Sequence, residues 1–214
     1  MSVKYYSFAE YKRIANRLLQ KHGMLTVKKL PIDIELLIDK AGYSIHPISG
    51  MYKDYGVKGA VLKRTGGYDI AIDENTYETQ EFFFRTTLAE ELSHIILHEE
   101  YVAGIKNLDD VIKFHKSFDD EDYKRIEQQA RCLGSQLLLP SELFDDEVLK
   151  WVQENEKSLR ANTFFSKEAL SDFIAEQSYK QYSLSKDVVR YSIRRFPDPV
   201  IDKILSKFGL SLIQ

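Results

Sequence analysis

An α+β fold is what this sequence predicts: a small β-sheet, one long helix bearing polar chemistry, and a helical C-terminal extension. Three features predict it. Apolar residues recur at helical spacing over 8–19, 82–98 and 127–139. A two-residue alternation with a Gly-Gly turn replaces that spacing between 43 and 73, and helical spacing returns from Ser166 onward. Strands grouped together, with helices before and after, give an α+β rather than an alternating α/β architecture.

The elements follow in order. Ser7 with Glu10 three residues later forms a capping box, and Phe8, Tyr11, Ile14, Ala15, Leu18 and Leu19 then keep a helical stripe until Gly23 stops it. Leu30–Ile38 reads as a second helix, with Pro31 near its start and Gly42 beyond its end. Tyr43–Ile48 is a short strand limited by Pro47, and its lone His46 reads as structural. Val57–Lys63 and Tyr68–Asp73 flank Arg64-Thr65-Gly66-Gly67, a hairpin signal. In the last strand Asp69 and Asp73 alternate with Ile70 and Ile72, which predicts one buried and one wetter face.

The central helix, 82–98, holds the most informative pattern. Residues four apart overlap and neighbours differ by about 100°, so Glu90, Glu91, His94 and His98 share one arc. Phe84, Leu88, Leu92, Ile95 and Ile96 fall opposite. Between Thr86 and Glu100 there is no lysine or arginine. Carboxylates and imidazoles crowded together without a cationic side chain are the donor set of a divalent metal site.

Arg85-Thr-Thr-Leu-Ala-Glu-Glu-Leu-Ser-His-Ile-Ile-Leu-His98 resembles the active-site helix of the ImmA/IrrE family of zinc metallopeptidases. A second block, Glu127-Gln-Gln-Ala130-Arg-Cys-Leu-Gly-Ser-Gln-Leu137-Leu-Leu-Pro140, is similar to the helix that supplies that family's third metal ligand. The family's asparagine, phenylalanine and alanine pair are here Arg131, Leu133, Gly134 and Ser135. The resemblance implies a zincin-like fold, a metal held by Glu90, His94 and Glu127, and Glu91 as general base for a metal-bound water. It further implies an endopeptidase acting on a helix-turn-helix repressor, in prophage, mobile-element or stress-response settings. In zincin folds an edge strand beside this helix lines the cleft and pairs with extended substrate, a role the resemblance gives to Tyr68–Asp73 unless that strand merely packs.

The departure from the family is Glu90, which stands where His-Glu-x-x-His has its first histidine. Two neutral imidazoles and one carboxylate leave zinc with net positive charge. Two carboxylates and one imidazole formally neutralise the ion, weaken it as a Lewis acid and favour harder ions such as Mn²⁺ or Fe²⁺ beside Zn²⁺. Three outcomes stay open: a slower hydrolase, a metal-binding but inactive site, and an ion-free pseudo-peptidase that binds a regulator. In an ion-free site Glu90, Glu91 and Glu127 repel one another, so one takes up a proton or finds a cation. Glu91 could also be a plain helix-surface acid. His98 reads as second shell, hydrogen-bonding beside the ligands, with a ligand register shifted to His94/His98 as the alternative.

Glu99–Asp122 reads as a polar, irregular insertion. Its acid clusters lack the glycine-centred calcium loop, and His115 reads as exposed unless the segment folds over the cleft as a hydrogen-bond donor. Glu127, Arg131, Gly134 and Leu138 form one stripe, small Gly134 allowing close approach of another helix. Pro140 ends that helix and Ser141 caps the next. Domains are expected at 1–155 (metallopeptidase) and 156–214 (helical extension, helix-turn-helix-like in outline). In the extension two helices flank Ser183-Leu-Ser185, Phe196-Pro-Asp-Pro199 breaks the chain, and Val200–Ile213 forms a last amphipathic helix.

Residues 160–214 carry nine Lys/Arg against six Asp/Glu, and the remainder twenty-one against twenty-seven. Arg190, Arg194 and Arg195 cluster there and could contact phosphates, which makes a DNA-associated regulator the third functional reading; no base-reading residue is identifiable. The net charge of −3 gives no case for nucleic acid or membrane binding by the whole chain. Cys132 alone excludes an internal disulfide and reads as packing. No window reaches the length of a membrane span and no signal core opens the chain, so a cytoplasmic protein is expected.

Overall fold

The computed structural model describes residues 3–25, 29–195, 199–210 and 212. The chain runs α1 (Phe8–Lys21), α2 (Ile34–Lys40), β1 (Ser44–Ile48), α3 (Met51–Tyr55), β2 (Gly59–Arg64), β3 (Gly67–Asp73), α4 (Glu74–Thr79) and α5 (Glu81–Leu97). It continues through α6 (Glu99–Val102), α7 (Leu108–Ser117), α8 (Asp120–Leu138), α9 (Ser141–Glu154), α10 (Glu156–Arg160), α11 (Lys167–Ser178), α12 (Lys186–Arg194) and α13 (Val200–Phe208). This is the expected α+β fold with a helical extension.

Local chemistry sets most of the boundaries. The capping box at α1 is complete, Ser7 Oγ accepting from the Glu10 amide while Glu10 accepts from the Ser7 amide at 2.8 Å. The second helix begins later than the proline signal implies. Pro31 lies before it, and the Asp33 carboxylate caps α2 by accepting from the Leu36 amide at 3.0 Å. Pro140, not Ser141, occupies the cap position of α9.

Strand order is the main correction. The sheet runs β1-β3-β2, with β3 parallel to β1 and antiparallel to β2. Tyr68–Asp73 is therefore the central strand, its backbone paired on both sides, and cannot be the substrate-pairing edge. The edges are β1, which tolerates Pro47 because one side needs no partner, and β2. Asp73 is buried rather than wet: one carboxylate oxygen accepts from the Thr76 amide at 3.0 Å as the cap of α4, the other from the Tyr52 amide at 2.9 Å.

The segment expected to be irregular is helical. Asn107 caps α7 by accepting from the Asp110 amide at 3.0 Å, and Val111 anchors the helix in the core. Helix α5 packs against β2 and β3 on one flank and against α8 on the other. It is thus buried nearly all round, Ala89, Ser93 and His94 included. The extension joins the same core: Leu170, Ile174, Val189, Ile193 and Ile204 are buried with Leu133, Phe144 and Val148. The last helix stops at Phe208, where Gly209 takes a left-handed φ of 57°. The expected break at 196–198 lies outside the described residues.

Candidate metal-binding cleft

Helix packing builds the site. A Cβ placed on Gly134 would lie 3.2 Å from the Ala89 carbonyl carbon and 3.3 Å from the Glu90 nitrogen, so α8 meets α5 backbone against backbone. About two turns earlier on α8 stands Glu127, and the close crossing turns it towards α5. His94 Nε2 and Glu127 Oε1 stand 3.6 Å apart. The cleft above them, a cavity of about 390 Å³, is walled by α5, α8, α7 and the start of β2, with Glu90, Glu91, His94, His115, Tyr123 and Glu127 facing it.

Glu90 also has a cation beside it. Its Oε1 lies 3.8 Å from Arg131 Nε, one turn beyond Glu127 on α8. Arg131 is the cation that an ion-free cluster of three acids requires. Glu91 is packed beneath β2: a Cβ on Gly59 would lie 2.6 Å from Glu91 Oε1 and 2.5 Å from Thr87 Cγ2. Glycine is therefore what lets the strand pass over the Glu91 carboxylate. The Tyr123 hydroxyl donates to Glu127.

The electrostatics are those of crowded acids out of water. Burial pushes the Glu90 carboxyl up to about 7, Arg131 opposing and Glu127 adding to the rise. Glu91 rises well above the usual range through burial, then through the charges of Glu127 and Glu90. Burial also raises Glu127, against Arg131 and the Tyr123 hydrogen bond. Burial lowers His94 to about 3, His98, His115 and Arg131 adding to it, so His94 is a neutral imidazole with a lone pair to give.

Do these residues suit a divalent ion? A tetrahedral zinc with bonds of roughly 2.0–2.1 Å sets its ligands about 3.3 Å apart, and the 3.6 Å between His94 Nε2 and Glu127 Oε1 needs only a few tenths of closing. Among the described residues, no three His, Cys, Asp or Glu side chains are already gathered around one point. Glu90 faces the same cleft with Arg131 beside it, and would be the third donor. The donor types fit such an ion, one neutral imidazole and two carboxylates, with His94 and Glu127 already near a ligand–ligand edge.

His98 caps the C-terminal end of α5 and is 1% exposed. Its Nδ1 lies 3.1 Å from His94 Nδ1 and its Nε2 2.8 Å from Gln129 Oε1, so both nitrogens are engaged and a His94/His98 ligand pair is not built. His115 is part-buried rather than exposed, its ring centroid 5.0 Å from that of Tyr123. His46 lies outside the cleft, 3.3 Å from Asp69. Sequence reading missed Gly59, Tyr123 and Gln129. Tyr123 falls one turn before Glu127 on the same face and was findable; Gly59 and Gln129 gave no local sign.

The three arginines of the extension do not form one surface. Arg195 is 2% exposed, donates to the Ser192 carbonyl at 2.6 Å and pairs with Asp145, so it cannot serve as a nucleic-acid contact without leaving the core. Arg190 pairs with Asp187 at 2.5 Å and lies 3.6 Å from Asp172, and Arg194 pairs with Asp172 at 2.9 Å. Acids of this chain already occupy both. No helix among the described residues is long and apolar enough to cross a membrane.

Comparison with family models gives a match to Peptidase_M78, described as the IrrE N-terminal-like domain, over residues 45–174. That span runs from β1 into α11 and contains the whole cleft. No curated protein and no solved structure matches.

Proposed function

From its membership of the Peptidase_M78 family of IrrE N-terminal-like domains, to which the chain belongs, we propose that this protein is a metal-dependent endopeptidase whose substrate is a helix-turn-helix transcriptional repressor. The observation that supports this most is the convergence of His94 and Glu127, from separate helices, beside the packed Glu91 carboxylate. His94, Glu127 and Glu90 would hold the ion, zinc first, with manganese or iron favoured by the second carboxylate. When bound, the ion supplies Lewis acidity to a peptide carbonyl and to water.

The chain's own groups do the rest. Glu91 would accept the proton of the attacking water and pass it to the departing amine. Strand β2 presents the substrate. Lys63 donates outward to the Ile105 carbonyl at 2.6 Å, while Lys58 accepts inward from the Asp73 amide at 2.8 Å. By the alternation of an antiparallel ladder, Gly59 and Val61 turn their amides and carbonyls outward, toward the cleft that Glu91 faces. An extended peptide paired there lies across Glu91 and His94.

A second reading has its own support. The contact of Glu90 with Arg131 gives one of the three acids a cationic partner without any ion, as a pseudo-peptidase that only binds a regulator would use. The substitution Glu91→Gln separates the two. In the hydrolase, metal-loaded Glu91→Gln retains metal and fold but loses cleavage of a repressor by about 10²–10⁴-fold. A wild-type protein that binds the repressor without cutting it, at any loaded metal, favours the second.

A further inference from the structure

We infer that Gln129, held by the main-chain carbonyl of Lys4, fixes the ring tautomer of His94 through His98, so that the N-terminal segment presets the His94 lone pair toward the cleft. The inference rests on reading His94 as a ligand. It concerns residues outside the ligand set.

The chain of hydrogen bonds has one possible direction. A carbonyl oxygen can only accept, so the Gln129 group 2.5 Å from Lys4 O is its amide nitrogen. That orientation turns Gln129 Oε1 toward His98 Nε2, at 2.8 Å. An amide oxygen also only accepts, so His98 carries its proton on Nε2. A neutral imidazole has a single N–H, which leaves His98 Nδ1 an acceptor. His94 Nδ1, 3.1 Å away, must then be the donor. The remaining His94 nitrogen, Nε2, keeps its lone pair, and it is the one 3.6 Å from Glu127.

Burial enforces the order. His94 is 7% exposed, His98 1% and Gln129 4%, so no water shell offers an alternative partner. Reversing either ring would set two lone pairs or two protons against each other. The anchor is itself held: Tyr6, two residues after Lys4, hydrogen-bonds through its hydroxyl to the Leu97 carbonyl at 3.4 Å. Residues 4–6 are thus fastened to both helices that carry the ligands. Gln129 touches neither substrate nor metal and is a positioning residue.

The test uses the full-length, metal-free protein and its Gln129→Leu and Gln129→Glu variants. Long-range ¹H–¹⁵N spectra of the histidine side chains read the tautomers, and competition titration reads zinc affinity. The wild type should show His98 as Nε2–H and His94 as Nδ1–H. Gln129→Leu should mix the tautomers and weaken zinc about 10–100-fold; Gln129→Glu, which has no N–H to give Lys4 and sets a carboxylate against His98, should protonate or reorient His98 and so also lose the wild-type tautomers. A wild-type His94 protonated on Nε2 overturns the inference, as does a Gln129→Leu variant with unchanged tautomers and zinc affinity. Should Gln129→Leu fail to fold, the wild-type spectrum and Gln129→Glu still decide. A wild type that binds no zinc yet shows the expected tautomers sinks the ligand reading and leaves the relay standing.

Discussion

His94 Nε2 and Glu127 Oε1 stand 3.6 Å apart on two different helices. The distance is long for a hydrogen bond and close to the ligand–ligand edge of a small metal ion. Their meeting depends on Gly134, where α8 presses on the backbone of α5. Gly134→Ala must push Ala89 and Glu90 aside by a few tenths of an ångström, and these are backbone atoms in a packed core. We expect a loss of about 1–3 kcal/mol in urea unfolding, with zinc affinity falling as well. An alanine variant as stable and as avid as the wild type would show that the crossing does not set the site.

Gly59 makes a sharper prediction, because what it faces is a side chain of the chemistry. A methyl group at 59 collides with Glu91 Oε1 at 2.6 Å and with the β-branched Thr87 at 2.5 Å. Glu91 is the more flexible of the two and should be displaced. Gly59→Ala is therefore expected to lower kcat by at least about 10-fold while leaving zinc affinity within a few-fold. Equal losses in both, or in neither, would separate Glu91 from the strand.

The raised Glu90 carboxyl gives a pH signature. Its value of about 7 lies above the ordinary 4.5, chiefly through burial. A folded pKa above the unfolded one stabilises fully below the unfolded value and loses that contribution as pH rises through the folded one. The stability difference between Glu90→Gln and the ion-free wild type should therefore grow in the variant's favour between about pH 4.5 and 7.5, by about 3 kcal/mol. His94, lowered to about 3, acts oppositely, adding stability above its ordinary 6.5 that is lost as pH falls toward 3, but it is common to both proteins and cancels in the difference. Parallel curves for the two proteins would show that Glu90 is not strained by burial.

Arg195 and Arg190 should behave differently on substitution. Removing Arg195 leaves the largely buried Asp145 with Lys203 as its only other ion-pair partner named among the described residues, and should cost about 3–5 kcal/mol in thermal or urea unfolding. Arg190→Ala, half-exposed and already paired with acids, should change stability by under about 1 kcal/mol. Salt-sensitive DNA binding lost on Arg190→Ala in a folded protein would revive the regulator reading.

Much of the fold was legible because its determinants are local. The Ser7–Glu10 cap, the Gly66 turn and the stripe of α5 each lie within a few residues of what they control. Strand order was not, because a period of two reports which face is buried and says nothing of which edge is paired; the return of β3 between β1 and β2 is a nonlocal choice. Asp73 reads as wet until its capping role supplies partners. Arg195 follows Arg194 in a basic run, yet the turn at the end of α12 sends its side chain inward to Asp145. In the cleft, the spacing of Glu90, Glu91, His94 and Glu127 was readable, whereas the contacts of Arg131 with Glu90 and of Gln129 with His98 needed the helix crossing to bring them about.

The most direct measurement is equilibrium zinc binding by the wild type, Glu90→His and Glu127→Gln. The account predicts one ion per chain in the wild type, tighter binding in Glu90→His, and at least about 100-fold weaker binding in Glu127→Gln. Substoichiometric binding in the wild type with zinc, manganese and iron alike, or a Glu127→Gln protein that binds as tightly as its parent, would contradict it.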